Sequence, residues 1–139
     1  MRLVKSMFVF GLFALPVIAG LYYLRLSISE GRIIGPSSIE RYILIPDLLL
    51  DEKLTRIGVV DHYTHDAADG PKAPRYGLKL LIASGRDKAE NNIKQYFLMN
   101  GFKEKQSHEL WCEGQEVSMY FESNQPDGLS VDISIIDYR

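Results

Sequence analysis

The chain has 139 residues, 46% hydrophobic and 24% charged, with a formal net charge of −2. That length holds one small domain with a core of its own once any targeting segment is set aside, and Cys112, the only cysteine, excludes an internal disulfide. The charge is uneven: residues 1–32 carry four Lys or Arg against one acid, and from Glu104 onward eight acids face only Lys105 and Arg139, a balance that repels a phosphate backbone and disfavours nucleic-acid binding.

Met7 to Leu24 is an uncharged apolar run of eighteen residues preceded by Arg2 and Lys5. As a helix it covers roughly 27 Å, close to the thickness of a hydrocarbon core. Tyr22 and Tyr23 would then sit at the interface, where amphipathic rings are favoured. Residues 1–26 are therefore expected to be a single-pass anchor that places the lipid bilayer around Met7 to Leu24. The alternative is a cleaved signal peptide, with Met7 to Leu15 as its apolar core, Pro16 as a breaker and a cut near Ala19. Leu21 to Leu24 favour the anchor, because the apolar run continues beyond that cut. Arg25 and Arg32 nearly balance Arg2 and Lys5, and the short basic tail favours an inside amino-terminus. The expected location is the inner membrane, with the carboxy-terminal domain in the periplasm, or free there after cleavage.

Residues 27–37 read as a linker, with Gly31, Gly35 and Pro36 and no sustained period. Residues 38–139 read as the exported domain. Ser37 and Glu40 form a capping-box signature, and apolar spacing through Ile57 predicts one or two helices across 38–55, divided or kinked by Pro46. Arg56 to Tyr63 predicts a strand, His65 to Pro74 a loop, and Tyr76 to Ala83 a second strand. Ser84 begins a helix whose stripe is Ala89, Ile93 and Phe97, with Gly101 beyond its end. Three strands follow: Lys103 to Cys112, one alternating through Val117, Met119 and Phe121, and one through Val131, Ile133 and Ile135. Turns at Glu113-Gly114-Gln115 and Gln125-Pro126-Asp127-Gly128 separate them. The expected fold is α+β: an antiparallel sheet of about five strands (β-β-α-β-β-β), helices on one face, and one transmembrane helix in front.

Two clusters could carry chemistry or binding. Asp61, His62, His65 and Asp66 have the side chains of a zinc site, the basis of an alternative reading as an exported metal-dependent hydrolase using His62, His65 and Asp66. On a strand from 56 to 63, however, His62 points away from Asp61 and Tyr63 while His65 lies in the loop, and surface histidines beside a loop are the plainer account. No nucleophile elbow, phosphate loop or dinucleotide fingerprint is present, so no cofactor is implied. The second cluster is the wet side of the three-strand meander, where Trp111, Glu113, Tyr120, Glu122 and Asp132 combine aromatic anchors with an acidic rim. These observations point to a non-enzymatic, membrane-held protein-binding module with a basic partner. An immunity-type toxin inhibitor or an accessory subunit of an envelope complex would suit it.

Overall fold

A computed structural model describes residues 14–25, 31–68, 71–124 and 128–139. Helix α1 covers 14–25. Strand β1 (Arg32–Ile34) is followed by three single-turn helices, α2 (Arg41–Leu44), α3 (Asp47–Leu50) and α4 (Glu52–Thr55). Then come β2 (Val59–Asp66), β3 (Arg75–Ile82), α5 (Arg86–Met99), β4 (Lys103–Gln106), β5 (Glu109–Cys112), β6 (Gln115–Asn124) and β7 (Gly128–Asp137).

All seven strands form one sheet, ordered β1-β2-β3-β7-β6-β5-β4, with every pairing antiparallel. The alternation read from sequence decides its two faces. Tyr63, Leu78, Ile133 and Met119 stand side by side across four strands, and all are buried. Leu44, Leu49 and Leu54 from the short helices and Ile45 just after α2, with Ala89, Ile93, Tyr96 and Phe97 from α5, join the same core. The helices thus cover one face of the sheet, and residues of the opposite parity form its open face.

Helix α5 ends as its sequence predicts. Gly101 has φ +90°, the Phe102 amide donates to the Phe97 carbonyl at 3.1 Å, and the Gly101 amide donates to that of Leu98 at 3.1 Å. This double closure lets Phe102 pack edge-on against Phe97, ring centres 5.4 Å apart. The Tyr96 hydroxyl ties α5 to the short helices, donating to the Leu48 carbonyl at 2.7 Å and to Asp51 Oδ2 at 3.2 Å.

Several expectations need correction. The sheet has seven strands, because the stretch read as a linker supplies β1 and the stretch from Lys103 to Cys112 folds back at Ser107-His108 into the β4–β5 hairpin. The segment 38–55 forms three separate turns; Pro46 lacks an amide hydrogen and caps α3. Ser37 makes no capping box, since Glu40 is the N-cap of α2 and no side chain caps it. Gly85, not Ser84, caps α5. The apolar run from Met7 lies in part outside the described residues, as does most of the turn at Gln125-Pro126-Asp127-Gly128. Among the described residues no helix is long and apolar enough to cross a membrane.

Candidate interaction face

The open face is built in rows by strand register. One row runs His62, Lys79, Asp132, Tyr120 across β2, β3, β7 and β6. The next runs Thr64, Gly77, Ser134, Ser118, and a third runs Asp66, Arg75, Ile136, Glu116, Trp111. Four of the five residues expected to meet a partner are here: Trp111, Tyr120, Glu122 and Asp132. Glu113 lies at the border, in the two-residue turn between β5 and β6. Both turn residues have positive φ, +42° at Glu113 and +84° at Gly114, as a tight hairpin of this twist requires.

The register divides this set. Tyr120 is 68% exposed and stands opposite Asp132, whereas Trp111, 40% exposed, stands opposite Glu116 with its ring 6.1 Å from that of Tyr138. Glu116 and Tyr120 are four residues apart on β6, roughly 13 Å along the strand. The aromatics therefore form two spots, not the single group suggested by sequence.

Nor is the face purely acidic. The Lys79 ammonium lies 3.6 Å from Asp132 Oδ2 and 3.9 Å from Glu122 Oε2, so one cation bridges both acids. Lys105 reaches Glu116 at 3.1 Å, and at the end of the sheet, on the opposite parity, Arg139 reaches Asp137 at 2.8 Å. The hydrogen bonds from Arg139 hold the Asp137 carboxyl far below the usual carboxylate range. Lys79 is absent from the set expected from sequence: it stands on the open side of β3, and only the register shows the acids it serves.

Beside the two spots, over β2, β3 and β7, the sheet is indented. Gly77 has no side chain, and a Cβ there would fall 2.1 Å from Thr64 Oγ1. The resulting groove, about 280 Å³, is lined by His62, Thr64, Asp66, Arg75, Lys79 and Asp132. Ser134 Oγ is buried beside it and has no hydrogen-bond partner among the described residues. Nothing local in the sequence marked this feature, because Thr64, Gly77 and Ser134 are neighbours only through register.

The metal reading does not assemble. His62 faces the open side with Nδ1 3.0 Å from Asp61 Oδ2. His65 faces the core, 6% exposed, its ring 5.5 Å from that of Tyr76. Burial pushes its imidazole below the usual histidine value, and the nearby Asp66 carboxylate only partly opposes this. Asp66 shares a face with His62 but lies four residues along the strand, roughly 13 Å away. The physical reason is the two-residue strand period: a ligand pair three apart is split across the sheet. Among the described residues no group of three or more His, Cys, Asp or Glu is arranged to hold a metal ion. Comparison with protein-family models, curated proteins and solved structures gives no match.

Proposed function

We propose that this protein is a membrane-tethered module whose domain, on the exported side of the membrane, binds another protein through the open face of its sheet. The observation that carries this reading is the state of α1. Leu15, Val17, Ile18, Leu21 and Leu24 are all exposed and at 100° per residue occupy one half of the circumference, while Pro16, Ala19, Gly20 and Tyr23 fill the other half without a charge. A helix apolar on every side needs an apolar surrounding, and the domain does not provide one. A bilayer does, and the apolar sequence that continues back to Met7 has the length for it.

The binding half of the proposal rests on the uncovered face. It presents Trp111, Tyr120 and Tyr138 above a charged floor, a pattern of aromatic anchors with a polar rim. The surplus of acid from Glu104 onward favours a basic partner, in keeping with an immunity-type inhibitor or an envelope subunit. The test uses the full chain, solubilised from membranes of its host, to capture and crosslink partners. Capture is expected to weaken as salt rises and to fall severalfold when Trp111 and Tyr120 are both replaced by Ala. Capture indifferent to salt and to both substitutions would remove the open face from the function.

A further inference from the structure

The turn around α2 carries apolar side chains that the domain leaves uncovered. Ile39 is 74% exposed, Tyr42 65% and Ile43 45%, while Leu44 and Ile45 beside them are buried. The segment therefore has an inner side in the core and an apolar outer side. Glu40 fixes where that outer side lies. Its carboxylate accepts a hydrogen bond from the Tyr22 hydroxyl at 2.8 Å, and from the Arg32 guanidinium at 2.7 and 3.1 Å. Tyr22 belongs to the last turn of α1, so the patch sits beside the carboxy-terminal end of the apolar helix.

Three features at this place match a membrane interface. Tyr22, Tyr23 and Tyr42 are all exposed, and Tyr22 bonds Glu40, two residues before Tyr42, residue types that an aromatic belt uses. Arg41 lies over the Tyr42 ring, 4.5 Å from its centre, and adds a cation suited to anionic headgroups. Arg32 neutralises Glu40, and Arg56 pairs with Glu52, the acid beside Arg41 and Tyr42, so the charges that would repel those headgroups are balanced.

We propose that Ile39, Tyr42 and Ile43 seat in the interfacial layer of the bilayer that holds α1, so that the domain rests on the membrane along its α2 side. The proposal rests on the reading of α1 as membrane-inserted. It gives the domain a fixed orientation: β1 near the lipid and β4 six strands away, roughly 29 Å across the sheet. The open face and its grooves then stand to the side, accessible to a partner.

The experiment places single cysteines in the full chain, in a Cys112→Ser background, and labels each with a nitrobenzoxadiazole fluorophore. The positions are Val17→Cys in α1, Ile39→Cys and Tyr42→Cys in the patch, and Ser107→Cys at the far edge. The protein is reconstituted in vesicles of phosphatidylcholine and phosphatidylglycerol carrying a nitroxide-labelled lipid. Quenching at 39 and 42 is expected to exceed that at 107 severalfold and to approach that at 17. If 17 is quenched while 39 or 42 behaves like 107, the docking is overturned and the anchor stands. If 17 itself behaves like 107, both are overturned.

Discussion

His65 and Glu113 show what single positions contribute. His65 is buried on the core face and its pKa is lowered by that burial. The unfolded chain, with an ordinary histidine near 6.5, binds the proton more readily than the folded one. Its contribution is therefore fully present above about pH 6.5 and is lost as pH falls toward the folded value, with a slope of at most about 1.4 kcal/mol per unit. Urea titrations of the detergent-solubilised chain between about pH 8 and about pH 5 should show this slope in wild type and a flatter dependence in His65→Phe, where the ring stays but the titration goes. Glu113 holds a left-handed backbone without the tolerance of Asn or Gly. Glu113→Asn creates the Asn-Gly pair that this hairpin favours and should stabilise the domain by about 0.5–1 kcal/mol, read from the same titrations.

Among the elements, α5 is where packing is most concentrated. Phe97 is fully buried, edge-on to both Tyr96 and Phe102, in one core with the equally buried Ile133. Phe97→Ala should cost about 3–5 kcal/mol of unfolding free energy, and a loss under about 1 kcal/mol would mean that the helix face does not bear on the sheet. This element was legible in the sequence because its signals are local: the stripe Ala89, Ile93, Phe97 and the glycine that ends it. The β5–β6 hairpin was legible for the same reason, through Glu113-Gly114. The others depend on partners far along the chain. Arg32–Ile34 has no period of its own and becomes a strand only by pairing with Tyr63 to His65. Ser107-His108 carries no Gly, Pro or Asn to announce a turn, so β4 and β5 read as one strand. The segment 38–55 has helical spacing, but Pro46 removes one amide hydrogen and the surrounding turns are too short to propagate a helix. The candidate face divides in the same way. Tyr120, Glu122 and Asp132 follow from alternation, whereas the Lys79 bridge and the Gly77 groove exist only through register.

The whole molecule joins an apolar helix to a sheet covered by helices on one side and open and polar on the other. We propose that α1 belongs in a bilayer and carries the domain there, because 14–24 is uncharged around its circumference, the sequence leading into it from Met7 is uncharged, and tyrosines and arginines gather at its end. If the open face binds a basic partner as proposed, rim acids are expected to set how fast it arrives and Trp111 how long it stays. Both presuppose a domain stationed at the membrane. Carbonate extraction of membranes containing the full-length chain tests this most directly, with terminal sequencing of the recovered protein. The expected result is intact chain in the membrane pellet; release into the supernatant, or a mature amino-terminus at Gly20, would contradict it.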